Sequence, residues 1–181
     1  MLRADERTTL RHFRDADAPA LFALTERNRA YLRRWLPWLD FVRRVEDSAG
    51  FLAGVQSRAA EGVSLELAIE HDGELAGVSG FRALDRNNRS GEIGYWLRED
   101  FGGRGIMTAC CRALVLHGFE SLGLNRISLS AAVENRRSRA VAERLGFQLE
   151  GVQRDGEWLY DHFVDLAVYS LLRRDPRAPR A

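Results

Sequence analysis

The chain contains no lysine, because all 27 of its basic residues are arginine. A nucleotide-binding loop of the Walker type needs a lysine after its glycines, so this class of phosphate site is excluded. Cysteine is also scarce: Cys110 and Cys111 are the only two, and as sequence neighbours they cannot join distant segments through a disulfide. We expect both to be reduced residues of a helix rather than a redox or metal site.

Long apolar runs and an excess of charge are absent as well. No run approaches the roughly 20 apolar residues of a membrane-spanning helix, and the opening MLRADERTTLRHF lacks the apolar core of a signal peptide. We therefore expect a cytoplasmic protein with no membrane partner. The 27 basic and 26 acidic residues nearly cancel, which argues against a nucleic-acid partner. We expect the pairs Arg43-Arg44 and Arg136-Arg137 to be solvated surface.

The remaining composition is that of one globular domain over residues 1–181, with 45% hydrophobic residues and a tail at 175–181 that we expect to fray. Segments with strand and helix periodicity interleave along the chain. Strands are predicted at 8–13, 63–70, 74–81, 92–97, 127–133, 147–154 and 163–172, and helices at 15–27, 48–60, 106–122 and 137–145. This order predicts an α/β (α+β) fold, in which helices flank a mixed, twisted central sheet of about seven strands.

The segment FGGRGIMTAC, residues 101–110, has three glycines in five positions between a predicted strand and a predicted helix. The first amides of such a helix lack intrahelical acceptors, and together with the helix dipole they form a receptor for phosphate. Gly103 and Gly105 allow the backbone to approach the anion, and Arg104 can add a charge-assisted hydrogen bond. An ordinary strand-to-helix turn accounts for the glycines equally well. A dinucleotide fingerprint does not fit, because no third glycine follows Gly105.

Two motifs in order carry a resemblance to a known family. Residues 103–105 match the second half of its pyrophosphate loop, although Asp100 stands where the general pattern has arginine or glutamine. The second motif is Asn135-x-x-Ser138 followed by LGFQLEG at 145–151, which is similar to the family's asparagine-containing helix start and the strand after it. On these motifs the chain resembles the GNAT superfamily of acetyl-CoA-dependent N-acetyltransferases.

Further segments resemble one branch, the RimJ/RimL type, which acetylates the amino termini of ribosomal proteins. YLRRWLPW at 31–38, EIGYWL at 92–97 and GIMT at 105–108 are similar to its segment between the first two helices, its central strand and its loop. The resemblance runs from about residue 7 to residue 173. It implies a GNAT fold whose two central strands splay apart and hold acetyl-CoA between them.

The resemblance also implies which residues bind the cofactor. The expected acetyl-CoA-binding residues are Tyr95, Trp96, Leu97, Gly102, Gly103, Arg104, Gly105, Ile106, Met107, Thr108 and Asn135. A backbone amide near 95–97 would polarise the thioester carbonyl, as in an oxyanion hole. We expect no metal, because the histidines at 12, 71, 117 and 162 show no metal-ligand spacing.

The predicted catalytic residues match the residue pattern of the RimJ/RimL branch and not that of the wider family. The tyrosine that most members place seven residues after the asparagine is Ala142 here. The branch instead has a serine three residues after the asparagine, Ser138, and a glutamate 19 residues later, Glu157. The resemblance implies direct attack without an acetyl-enzyme, with Ser138 serving the departing thiolate and Glu157 serving the amine. Alternatives remain: Asn135 and Ser138 can be helix caps, and Glu157 falls in a predicted turn at 155–158.

The acceptor site is expected near the aromatic segment YLRRWLPW, residues 31–38. Trp35 and Trp38, with Pro37 and Phe41, would wall a substrate groove, or would be ordinary core or lid residues. The expected function is acetylation of a ribosomal-protein amino terminus, that of the serine-starting acidic stalk protein. Two alternatives stay open: a small amine such as an aminoglycoside, polyamine or amino-acid derivative as acceptor, and a non-catalytic acyl-CoA-binding module. A homodimer is compatible with each of these functions.

Overall fold

The computed structural model describes residues 1–179, which form one sheet with helices on both faces. The strands are β1 (Leu2–Arg3), β2 (Thr8–Arg11), β3 (Leu65–His71), β4 (Glu74–Asp85), β5 (Ser90–Leu97), β6 (Arg126–Ala132), β7 (Gln148–Leu159) and β8 (His162–Leu172). The helices are α1 (Ala18–Leu32), α2 (Val45–Glu61), α3 (Ile106–Glu120) and α4 (Arg136–Arg144).

The sheet has the strand order β1-β2-β3-β4-β5-β6-β8-β7. All neighbours are antiparallel except β5 and β6, which run parallel and are connected through α3. Two parallel strands are joined by a long crossover connection. Here the crossover begins with the glycine-rich segment, which therefore lies at the carboxyl end of β5. The fold class is therefore the one that the sequence predicts, with eight strands among the described residues in place of about seven.

The two central strands separate partway along their length. Pairing between β5 and β6 covers only Ser90–Ile93 and Arg126–Leu129. Beyond that point β5 pairs only with β4, and β6 pairs only with β8. The expected splay is thus confirmed, and it leaves a gap in the middle of the sheet.

Two hydrophobic cores cover the two faces of the sheet. On one face α3 and α4 pack against the strands, with the fully buried Leu114, Ile127 and Tyr169 in the larger core. On the other face α1 and α2 cover a smaller core that includes Leu52 and Val78. Burial of a leucine or isoleucine side chain contributes about 1.5–3 kcal/mol, so both cores stabilise the sheet that contains the gap.

Several element boundaries differ from the predicted ones. The additional strand, β1, has two residues and therefore too few for a periodic signal. The helix α1 continues to Leu32, five residues beyond the predicted Arg27. Part of the predicted frayed tail is folded: the Ala178 amide donates to the Asp175 carbonyl, and Ala178 is buried in the larger core. Residues 180 and 181 of that prediction lie outside the described residues.

The two cysteines lie on α3, where both are buried and unpaired, as the sequence predicts. Within residues 1–179, none of the helices has the length and apolar character required to cross a membrane. The same residues contain no group of three or more His, Cys, Asp or Glu side chains arranged to hold a metal ion.

Candidate active site

A first cavity of about 730 Å³ opens where β5 ends and α3 begins. All the residues predicted to bind the cofactor line it, except Arg104. The Arg104 guanidinium instead lies 5.2 Å from the centroid of the Phe101 ring. Ser138 and Trp35 also line this cavity.

The beginning of α3 presents unpaired amide groups to this cavity. The first backbone hydrogen bond of the helix runs from the Ala109 amide to the Gly105 carbonyl, at 3.0 Å. The amides of 106–108 therefore have no acceptor within the helix. Gly103 and Gly105 have φ of +81° and +80°, and a side chain at either position would be strained. These free amides and the positive end of the helix dipole suit an anionic group.

Four further arginines, none of them predicted as a site residue from the sequence, give the first cavity a positive charge. They are Arg112, Arg136, Arg137 and Arg144. Among the described residues, none of them has a carboxylate within 4.0 Å, the limit for an ion pair. Arg136 and Arg137 are exposed, as the sequence predicts, and both also line the cavity directly after the Asn135 motif. A guanidinium matches the geometry of a phosphate group, so these side chains fit a cofactor with several phosphates.

Asp100, the position that departs from the usual pyrophosphate pattern, is neutralised locally. Its carboxylate accepts hydrogen bonds of 2.7 and 2.8 Å from Arg98. The Arg98 guanidinium lowers the pKa of the Asp100 carboxyl, which stays ionised in this pair. The acidic residue therefore adds little net negative charge to the entrance of the cavity.

Ser138 is held on α4 by two residues. The Asn135 side chain accepts a hydrogen bond of 3.2 Å from the Ser138 amide. Asn135 therefore caps the helix, which is one of the alternatives predicted from the sequence. The Ser138 hydroxyl lies 2.8 Å from the Tyr95 hydroxyl. Burial raises the pKa of the Tyr95 phenol, which remains neutral. The sequence predicts Tyr95 as a cofactor-binding residue, but it does not predict this side-chain contact.

A second cavity, of about 600 Å³, adjoins the first at the splay. The residues predicted to wall the substrate groove, Trp35, Pro37, Trp38 and Phe41, all line this cavity. The Trp38 ring lies 6.2 Å from the Trp96 ring, centroid to centroid. Trp35, Leu36, Tyr95 and Trp96 line both cavities. The two spaces therefore meet at the carboxyl end of β5.

Glu157 lines the second cavity, on a strand rather than in the predicted turn. The predicted turn at 155–158 is wrong because β7 continues to Leu159, with a register shift between Gln153 and Glu157. Asp155 takes up the irregularity with φ of +49°, and its amide donates to the Asp165 carboxylate at 2.9 Å. A β-bulge of this kind redirects a side chain.

The carboxylate of Glu157 differs from its acidic neighbours in having no cationic partner. Glu92 and Glu66 line the same cavity, and they pair with Arg82 and Arg58 respectively. Among the described residues, Glu157 has no arginine within 4.0 Å. Partial burial raises the pKa of Glu157 above its ordinary value of 4.5, an effect that the more distant Arg82 opposes. Such a carboxylate is a better proton acceptor than an exposed one.

The turn between β7 and β8 is hydrogen-bonded to the segment that lines the second cavity. Tyr160 has φ of +60°, and its hydroxyl donates to the Leu36 carbonyl while the Leu39 amide donates to it at 3.2 Å. The Arg33 guanidinium lies 3.7 Å from the Tyr160 ring centroid. The strand that carries Glu157 and the segment that carries Trp35 are thereby joined into one structural unit.

Two backbone amides of β5 face the gap between the strands. The Arg98 amide donates to the Ala76 carbonyl of β4. Because hydrogen-bonding direction alternates along a strand, Tyr95 and Leu97 direct their amides away from β4 and toward the gap. β6 has already diverged there. These amides are preorganised donors of the kind that stabilises a developing oxyanion.

Comparison with known proteins agrees with this geometry. A family model described as "Acetyltransferase (GNAT) domain" matches residues 7–148. The chain is 38% identical to the putative ribosomal N-acetyltransferase YdaF of Bacillus subtilis, over 96% of this chain and 95% of that protein. It is 34% identical to the ribosomal-protein-serine acetyltransferase of Escherichia coli, over 83% and 84% of the two chains. The solved structure of RimL, a ribosomal L7/L12 alpha-N-protein acetyltransferase in complex with coenzyme A, superimposes with a TM-score of 0.92 at 31% identity, covering 94% of this chain and 97% of that one.

Proposed function

The chain belongs to the GNAT family and is an acetyl-CoA-dependent N-acetyltransferase, and we propose that its acceptor is the amino-terminal serine of an acidic ribosomal protein. The similarity to the ribosomal-protein-serine acetyltransferase of Escherichia coli supports this acceptor. The meeting of the two cavities at the splay, with Ser138 lining one and Glu157 lining the other, supports the transfer itself. A ribosomal acceptor would place the reaction in the cytoplasm.

The first cavity is the proposed acetyl-CoA site. The amides of 106–108 and the arginines at 112, 136, 137 and 144 would hold the phosphates. The gap between β5 and β6 would receive the pantetheine arm, with the Tyr95 and Leu97 amides directed at the acetyl carbonyl. Bound acetyl-CoA supplies a thioester that an amine can attack directly.

The second cavity is the proposed amine site. A protein α-amino group has a pKa near 7.7–8.0, so roughly a tenth is neutral at pH 7 and the base has a modest task. Glu157 accepts the proton that the amine loses as the new N–C bond forms. Ser138 donates a hydrogen bond to the sulfur as the C–S bond breaks, and the thiolate takes a proton from solvent. Trp35 and Trp38 exclude water from the reacting groups.

Charge near the aromatic segment supports an acidic protein as acceptor. Arg34 and Arg43 flank residues that line the second cavity, and among the described residues neither has a carboxylate within 4.0 Å. The Arg34 guanidinium lies 5.6 Å from the centroid of the Trp35 ring. Exposed positive charges of this kind would attract an acidic peptide behind its reactive amino terminus.

The proposal is tested by measuring thiol release from acetyl-CoA with matched acceptors. The panel contains an acidic peptide that begins with serine, the same peptide with a blocked amino terminus, its version with amides in place of the acids, and a set of small amines. We expect turnover with the free acidic peptide, none with the blocked one, and a kcat/KM that falls as salt is added. Turnover confined to small amines would replace the proposed acceptor.

A further inference from the structure

The Tyr95 hydroxyl contacts two atoms of Ser138. Its oxygen lies 2.8 Å from Ser138 Oγ and 3.2 Å from the Ser138 carbonyl oxygen. Tyr95 stands on β5 beyond the last residue that pairs with β6, and Ser138 stands in the first turn of α4. The contact therefore connects the splayed strand to the helix that carries the proposed leaving-group residue.

Counting protons limits how these groups can be arranged. A carbonyl oxygen only accepts, and a tyrosine hydroxyl has one proton to donate. When Tyr95 donates to the carbonyl, the Ser138 hydroxyl must donate to Tyr95 to complete the 2.8 Å contact. When Tyr95 donates to Oγ, the proton of Ser138 is free to point elsewhere. The pair therefore has two states, and only the second leaves Ser138 available as a donor.

The surroundings of Ser138 leave Tyr95 as the one group that determines which of the two hydrogen-bonding states forms. The Ser138 amide is taken by Asn135, at 3.2 Å. Among the described residues, Tyr95 is the only side chain hydrogen-bonded to the Ser138 hydroxyl. Tyr95 lines both cavities, so it stands at the junction where the acetyl group is proposed to pass. A hydroxyl that accepts one hydrogen bond becomes a stronger donor for the next.

We propose that Tyr95 is a positioning residue, whose hydroxyl holds Ser138 Oγ and polarises the Ser138 hydroxyl toward the leaving sulfur. This inference rests on the proposed function, because that function makes Ser138 the hydrogen-bond donor to the leaving sulfur. It adds a residue that acts through Ser138 and does not itself lose a proton. It also accounts for how a serine, a weak acid, can take the place of the tyrosine that Ala142 replaces.

The test is a double-mutant cycle with Tyr95→Phe, Ser138→Ala and the double variant. Removing one hydroxyl interaction lowers kcat about tenfold in Tyr95→Phe, while the Kd of CoA measured by calorimetry stays at the wild-type value. If Tyr95 acts through Ser138, the double variant falls below Ser138→Ala by no more than about twofold, the usual error of additivity. Melting temperatures establish that each variant is folded.

The matched control is Tyr169→Phe. Its hydroxyl is also buried and hydrogen-bonded, to Arg139 and Glu143, but it lines neither cavity. We expect its kcat to be unchanged, although it loses stability in the same way.

The outcomes separate this inference from the function on which it rests. Wild-type kcat in Tyr95→Phe, or fully additive losses in the cycle, would overturn the positioning role. A weaker CoA affinity with unchanged kcat would also overturn it. Wild-type kcat in Ser138→Ala would remove the proposed role of Ser138 and this inference with it. Turnover of the unmodified enzyme on the peptide panel decides the acceptor independently of all three variants.

Discussion

At the scale of single residues, the environment of Glu157 makes it the proposed base. Several acids line the second cavity, but Glu66 and Glu92 are each paired with an arginine. Glu157 is partly buried and has a raised pKa because burial disfavours its charged form. A carboxylate in this state accepts a proton from an amine more readily than a paired one does.

The raised pKa of Glu157 predicts the shape of the pH profile. Glu157 must be ionised to act, so kcat/KM rises with pH as it loses its proton, at a pH above the ordinary 4.5. Glu157→Gln should lose about 100-fold in kcat/KM, the low end for a general base, and should retain only the rise set by the amine, whose pKa lies near 7.7–8.0. Steady-state kinetics between pH 4 and pH 9 measure both effects.

Glu120→Gln provides the matched control for that profile, because Glu120 is exposed near the end of α3 and lines neither cavity. Its profile should coincide with that of the unmodified protein. A second rise, at lower pH than that of the amine, that persists in Glu157→Gln would assign the titration to a different group.

At the scale of elements, the loop before α3 makes the anion receptor. Gly103 and Gly105 both take left-handed φ, and a Cβ at either would meet nothing within 4 Å. A side chain there would be strained by the backbone angle, not by crowding. The glycines therefore preserve both the loop conformation and the open approach to the amides of 106–108.

Replacing both glycines by valine should abolish the rise in melting temperature that CoA produces in the unmodified protein. The β-branched side chain disfavours the left-handed conformation and shields the amides. Differential scanning fluorimetry with and without CoA measures the effect.

Gly123→Val is the control for backbone strain. Gly123 also has positive φ, +66°, and a Cβ there would likewise meet nothing within 4 Å. It follows α3 and lines neither cavity. The variant should lower stability but retain the CoA-induced rise. An undiminished rise in the folded double-valine variant would contradict the anion-receptor assignment.

The sequence predicts the elements unevenly, for physical reasons. Helical periodicity identifies α3, and the Asp72-Gly73 turn identifies the β3–β4 hairpin. The β7–β8 hairpin is mispredicted because Asp155-Gly156 has the composition of a turn, whereas the structure turns at Tyr160 and uses Asp155 in a bulge. A bulge preserves strand pairing after an irregularity, and composition alone does not distinguish it from a turn.

At the scale of the whole molecule, the site exists because two strands separate. The paired ends of β5 and β6 hold the sheet together, and their separated ends leave a gap between the two cavities. The sequence motifs predict the residues that lie on the cofactor side of this gap. They do not predict the cavity arginines at 112 and 144, or the Tyr95–Ser138 contact, because those groups come together only through packing of elements distant in sequence.

On the proposed mechanism, the acetyl group passes directly from acetyl-CoA in the first cavity to an amine in the second. The most direct test is initial-rate kinetics with both substrates varied, together with the mass of the protein after incubation with acetyl-CoA alone. Direct transfer predicts double-reciprocal lines that intersect and an unmodified protein mass. Parallel lines with an acetylated protein would rule out direct transfer, because they would require an acetyl-enzyme.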